Sequence, residues 1–243
     1  MSTIVITGAS GDIGINYIRH LDDIEQGTRI IAVGNSSISR LSSIEMKNCE
    51  LIPVQCDLSD NKASEEVFTD IADNNKDINR FISFAFGKLK YDRASAFSAY
   101  DIEKNFRIQV SSCGIALSKI IPVMKKNRFG RVIITTSSAS IGTPPAFMSE
   151  YTIVKYAALG MIRSYAAECI KYGITVNGIA PSMVNTRMWD DLPSMLSEMN
   201  LREHPLKRSV TFDEINNCID NLTSEKSGFI TGENINLSGG ETI

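Results

Sequence analysis

The chain has 243 residues, 43% of them hydrophobic, with 25 Lys+Arg against 28 Asp+Glu and a formal net charge of −3. This is enough apolar side chain for a sizeable core, and the slightly acidic balance argues against nucleic-acid binding, which requires a basic face. The opening MSTIVITGAS carries no charged leader and no apolar run approaches the ~20 residues of a membrane span, so a cytoplasmic chain without membrane contact is expected.

In chain order, TIVIT (3–7) reads as a strand, 13–22 as a helix, and RIIAV (29–33) and LIPVQC (51–56) as the next strands. Residues 63–74 form a helix, RFISFAF (80–86) a strand, and 100–126 a long helix with a break near Gly114. RVIITTSS (131–138) is a strand, 150–171 a second long helix, ITVNGIA (174–180) a strand and NINLS (234–238) the last one. This βαβα alternation predicts an α/β fold, a doubly wound parallel sheet of about seven strands with helices on both faces. No repeat or linker divides the chain, so residues 1–243 are expected to form a single domain. The segment 187–210, rich in Met and Leu and holding the only tryptophan, fits neither pattern and reads as one irregular excursion.

Five scattered cysteines (Cys49, Cys56, Cys113, Cys169, Cys218) without a C-x-x-C pair read as reduced thiols used as small apolar residues. With only His20 and His204, a metal site or a Ser-His-Asp triad is poorly supplied, and none is expected. Other residue types must carry any chemistry.

The turn after the first strand, VITGASGDIG, spaces Gly8, Gly11 and Gly14 three apart at the mouth of the first helix. Glycines there let backbone N–H groups approach a pyrophosphate at a helix N-terminus, unless the turn is purely structural. Asp57 ends the third strand, where it either accepts a hydrogen bond from an adenine amino group or caps the next helix. In SEYTIVKYAALG, Tyr151 and Lys155 lie four apart and share one helical face, either as a working pair or as an exposed phenol beside a solvated ammonium.

The glycine turn, CDL (56–58), a serine before YTIVK, NGIAPSMVNT and FITGENINLSGG follow one another in an order and spacing that resembles the short-chain dehydrogenase/reductase family over essentially the whole chain. PLKR (205–208) and the C-terminal run look closest to 3-oxoacyl-(acyl-carrier-protein) reductases. The resemblance implies an enzyme that moves a hydride between NAD(P)(H) and a carbonyl. Tyr151 would be the general acid, Lys155 would tune the phenol and hold the nicotinamide ribose, and Ser138 would polarise the substrate carbonyl. Ser137 is the rival, because counting from the loop glycine Gly130 favours it by one position; neighbouring strand residues face opposite ways, so only one serine can face the site. Gln109 stands where the family's relay asparagine is expected, or is an ordinary surface helix residue.

The resemblance also places the cofactor. Gly8, Ser10, Gly11, Asp12, Ile13 and Gly14 would cradle it, with Asn35, Ser36, Asp57, Leu58 and Ala85 around the adenosine. Tyr151, Lys155, Pro181, Val184 and Thr186 would lie at the nicotinamide. No acid follows the second strand, and Gly34, Asn35, Ser36, Ser37 and nearby Arg40 favour NADP(H) over NAD(H). The chain departs from the family in two more places. Asp12 occupies the expected second-glycine position, and SFAF (83–86) replaces Asn-Asn-Ala-Gly, its phenylalanines crowding the adenosine ribose or packing the sheet.

The excursion 187–210 would be the substrate lid, with Met188, Trp189, Leu192, Met195 and Leu196 as apolar contacts, or these residues merely form a small satellite core. Lys125, Lys126, Arg128 and Arg131 form a basic run that would receive an acidic carrier protein, or merely a solvated helix end. The expected substrate is a small or carrier-linked 3-oxoacyl thioester of fatty-acid or polyketide-like assembly. A sugar, polyol or cyclic alcohol or ketone is the alternative, as is a weakly catalytic cofactor-binding subunit. The family's habit of pairing through the two long helices implies a homo-oligomer, a dimer or tetramer.

Overall fold

The computed structural model describes residues 2–190 and 194–242. Seven strands form one parallel sheet in the order β3-β2-β1-β4-β5-β6-β7. They are β1 (Thr3–Thr7), β2 (Arg29–Gly34), β3 (Glu50–Gln55), β4 (Ile78–Ser83), β5 (Gly130–Thr135), β6 (Ile174–Pro181) and β7 (Asn234–Leu237). The order runs outward in one direction from β1 and in the other from β4. Their carboxyl ends therefore flank the switch point where such sheets open a ligand crevice.

The pleat decides which residue meets which layer. Val5, Val33, Phe81, Val132 and Val176 face one way, against α3 (Asn61–Asn74), α5 (Ser112–Asn127) and α6 (Ser149–Cys169). Ile4, Ile6, Ile30, Ile82 and Ile133 face the other, against α1 (Asp12–Ile24), Leu41 of the short α2 (Ser39–Ser42) and α8 (Phe212–Thr223). Both faces are thus covered, and the strands read as near-continuous apolar runs. Each fully buried Val or Ile side chain contributes roughly 1.5–3 kcal/mol of transfer free energy.

Several boundaries differ from the sequence reading. β4 ends at Ser83, so Phe84 and Phe86 lie in the loop beyond it. β5 ends at Thr135, and Ser138 opens a single 3₁₀ turn, Ser138–Ser140. The long helix 100–126 is interrupted at Arg107–Ser111, between α4 (Ala99–Phe106) and α5, by a π-helical turn. Gly114 lies inside α5. The excursion is not wholly irregular: Arg187–Trp189 is a 3₁₀ turn and Ser194–Glu203 is helix α7. All five cysteines are free thiols, with Cys56, Cys113 and Cys169 buried. Among the described residues no helix is long and apolar enough to cross a membrane.

Candidate active site

The glycine turn is pressed onto the end of β4. Gly8 has φ +67°, and a Cβ there would stand 2.6 Å from the Ala85 nitrogen and 2.7 Å from the Phe84 carbonyl carbon. Gly14 is as tight, since its Cβ would lie 2.7 Å from the carbonyl oxygens of Gly8 and Ala9; it seats α1 on the turn and lines none of the described cavities. Gly11 caps α1 with no side-chain partner, which leaves the first N–H groups of a 13-residue helix for another acceptor.

A crevice of about 490 Å³ opens over this turn. Gly8, Ser10 and Gly11 form its floor, and Asn35, Ser36, Asp57, Leu58 and Ala85 surround it. Asp57 does not cap α3; Asp60 does, accepting from the amides of Lys62 and Ala63. Asp57 uses Oδ1 to accept from the Ser59 amide and hydroxyl, and these bonds hold its carboxyl below the ordinary range, leaving Oδ2 for a further donor.

Asp12 departs from expectation. Its carboxylate accepts from the Arg40 guanidinium at 2.9 Å and from the Arg187 amide at 2.8 Å, and it lines a separate surface cleft. Burial pushes the Asp12 carboxyl up, but the Arg187 amide and the Arg40 guanidinium outweigh it and hold the group below the usual value. Arg40 also donates to the Ser10 carbonyl at 2.7 Å, so its charge is engaged at the turn and does not line the crevice beside Asn35. Asp12 therefore ties the start of the excursion to α1.

A second cavity of about 330 Å³ lies beyond the ends of β5 and β6. Ser137, Ser138, Tyr151 and Lys155 line it together with Ile13, Pro181, Val184 and Thr186. Tyr151 and Lys155 come from the first turns of α6, as their spacing predicts. Ser137, not Ser138, engages the Tyr151 phenol. β5 has already ended at Thr135, so the two serines no longer follow its pleat and both line the cavity. Burial pushes Tyr151 up to about 12, with the Ser137 hydroxyl working to lower it. Burial likewise pushes the Lys155 ammonium down to about 7. Desolvation is thus the leading cause at both groups.

Gln109 is not a surface residue. It lies 1% exposed in the π turn, a helix irregularity frequent at functional sites, and its Nε2 donates to the Thr135 carbonyl at 2.7 Å. Lys155 Nζ donates to that same carbonyl at 3.1 Å. The Thr135 contact has no side-chain signature, so sequence could not reveal it. Phe86, noted only as a departure, packs edge-on against Tyr151 with ring centroids 5.1 Å apart.

Of the lid residues, Met188 and Trp189 line the second cavity, whereas Met195 is exposed, Leu196 does not reach the cavity, and Leu192 lies outside the described residues. The basic run is broken. Arg131 is buried, donating to the carbonyls of Gly130, Gly173, Ser224 and Glu225, and Lys125 pairs with Glu168. Lys126 and Arg128 remain exposed, but at the end of α5 that leads into the start of β5. Within the chain this is the end of the sheet away from the cavity, about 16 Å distant along the strand. The expectation of a carrier-docking surface that feeds this cavity is not supported there.

The family model described as enoyl-(acyl carrier protein) reductase matches residues 13–242. The 3-oxoacyl-[acyl-carrier-protein] reductase FabG of Rickettsia bellii (strain RML369-C) is 28% identical over 240 residues, covering 98% of this chain and 95% of that protein. The (2S)-[(R)-hydroxy(phenyl)methyl]succinyl-CoA dehydrogenase subunit BbsD of Thauera aromatica is 34% identical over 169 residues, 65% of this chain and 67% of that one. Among solved structures, NAD+-bound xylitol dehydrogenase superposes with a TM-score of 0.87 at 21% identity, covering 98% of each chain.

Proposed function

Because the chain belongs to the short-chain dehydrogenase/reductase family, we propose that it uses NADP(H) to reduce a ketone, a 3-oxoacyl thioester, to the secondary alcohol. The observation that carries this reading is the meeting of the Tyr151 phenol, the Ser137 hydroxyl and Lys155 on one cavity walled by Leu89, Pro145, Met148, Met183 and Trp189. The apolar walls suit an acyl chain; Thr143, Ser182, Asn200 and Glu241 line the same cavity and would partner a polyol's hydroxyls, so the choice of a thioester rests on the relatives. Two relatives, named for acyl-carrier-protein and CoA-linked substrates, support a thioester.

The residues fit a dinucleotide. A Cβ added at Gly11 would stand 3.2 Å from the Gly8 carbonyl oxygen, closer than ordinary van der Waals contact, and the missing side chain leaves this face of the turn for a phosphate. Gly8, Ser10 and Gly11 would hold the pyrophosphate, Asn35 and Ser36 the adenosine ribose or its 2′-phosphate, Asp57 and Leu58 the adenine, and Ala85 the loop between. The absence of a carboxylate at Gly34–Ser37 supports NADP(H) over NAD(H). Ile13, Pro181, Val184 and Thr186 would line the nicotinamide.

When bound, NADPH supplies the hydride. Tyr151, which holds its proton at neutral pH, delivers it to the carbonyl oxygen. Ser137, in place of Ser138, donates a hydrogen bond to that oxygen as negative charge develops. Lys155 takes the ribose hydroxyls, and Gln109 fixes the Thr135 carbonyl that anchors Lys155. Residues 187–210 would cover the substrate, starting from Met188 and Trp189.

The chain would act as a homo-oligomer through α4 and α6, where Tyr100 (73%), Phe106 (39%), Ile153 (47%) and Tyr156 (44%) are exposed. The function is tested by initial rates of NADPH oxidation with an acetoacetyl thioester, a cyclic ketone and a ketose side by side. Preference for the thioester is expected; preference for either of the others would replace the substrate class while keeping the chemistry.

A further inference from the structure

The two cavities must join if one dinucleotide is to run from the glycine turn to Tyr151. Among the described residues three side chains line both: Phe84, Phe86 and Met188. Of these, Phe86 lies against the chemistry itself. Its ring meets Tyr151 edge-on at 5.1 Å, and the Lys155 ammonium stands 4.8 Å from its centroid. Lys155 is 4% exposed, with Nζ held by the Thr135 carbonyl on one side and the Phe86 ring on another.

The backbone on either side of Phe86 is pinned. Ala85 lies against Gly8, whose Cβ would already be 2.6 Å from the Ala85 nitrogen. Gly87 is packed so closely that its Cβ would stand 2.1 Å from Asn105 Oδ1 and 3.0 Å from Ile108 Cδ1. The loop therefore has little freedom to move as a unit. Phe86 itself is only half-buried, so rotation of its side chain is the motion left available.

Resting on the cofactor reading above, we propose that Phe86 sets the affinity for the nicotinamide half of the dinucleotide: its ring occupies the space over Lys155 that the nicotinamide-side ribose must enter, and binding requires the ring to rotate away. The adenosine half, bound among Asn35, Ser36 and Asp57, does not meet this barrier. The resting position is favoured by an aromatic edge contact and a cation–π contact, both lost on rotation. Apparent affinity for the whole dinucleotide is lowered by the fraction of molecules with the ring displaced. Removing the ring removes that penalty.

The test is calorimetric titration of the parent and Phe86→Ala with two probes, NADPH and 2′,5′-ADP, the second lacking the nicotinamide ribose. Phe86→Ala should bind NADPH roughly tenfold tighter and 2′,5′-ADP unchanged. Phe86→Leu, which keeps apolar bulk without the ring, should tighten NADPH by a smaller factor and guards against a folding defect in the alanine variant. Unchanged NADPH affinity in both variants, with 2′,5′-ADP binding intact, would overturn the proposal. So would equal changes for both probes, because Phe86 would then act on the crevice as a whole. A parent that binds neither probe would overturn the cofactor reading instead, and this proposal with it.

Discussion

Gln109 Nε2 and Lys155 Nζ donate to one and the same oxygen, the Thr135 carbonyl, at 2.7 and 3.1 Å. A carbonyl has two lone pairs, and here both are used by donors from different helices. The π turn that carries Gln109 thereby braces the strand end on which Lys155 hangs. A glutamine reaches that carbonyl where the family resemblance implies an asparagine.

Gln109→Leu should keep the volume and lose the donor. A buried hydrogen bond is worth about 1 kcal/mol net, so kcat should fall about five- to tenfold with KM for the ketone little changed. Gln109→Asn should fail to restore it, being one methylene short. Steady-state rates of the three proteins decide this, and wild-type kcat in Gln109→Leu would show that Lys155 needs no brace.

The two serines give a sharper contrast. Ser137→Ala removes the hydroxyl that engages Tyr151 and should lower kcat/KM by about 10²–10³, the usual cost of one donor at a developing oxyanion. Ser138→Ala, which removes a cavity-lining hydroxyl at the start of the 3₁₀ turn but not the one that bears on Tyr151, should stay within about threefold of the parent. The reverse ranking would return the role to Ser138.

Burial places Lys155 at about 7 in the fold, against 10.5 for an ordinary lysine. Between those values the unfolded chain binds more protons than the native one, so stability from this group rises with pH across the window. The contribution is complete above 10.5 and is lost as pH falls through about 7. Urea midpoints measured at about pH 7 and about pH 9 should rise more in the parent than in Lys155→Met. Parallel shifts in the two proteins would mean the ammonium is better solvated than its burial implies.

What was legible in the sequence was local. The glycine turn and the Tyr151–Lys155 pair depend on neighbours within one turn, and the strand runs announce themselves by apolar residues on both faces. Spacing could not choose between the serines: the count back from Tyr151 gives Ser138, the count from Gly130 gives Ser137, and strand parity does not apply past Thr135, where the backbone has already changed conformation. Helix α8 went unread although Thr211 and Glu214 form a reciprocal capping box and Ile215, Ile219 and Leu222 repeat at helical spacing. That signal was present. By contrast, the contacts of Arg131 with four backbone carbonyls, of Gln109 with Thr135 and of Asp12 with Arg187 join distant segments, and only the fold brings them together.

The central claim is that Tyr151 delivers the proton in a thioester ketone reduction. Its most direct test is the initial rate of NADPH oxidation with an acetoacetyl thioester, measured for the parent and for Tyr151→Phe, which keeps the ring against Phe86 and removes only the hydroxyl. The account predicts turnover by the parent that falls by at least about 10²-fold in the variant. Equal rates in the two proteins would contradict it.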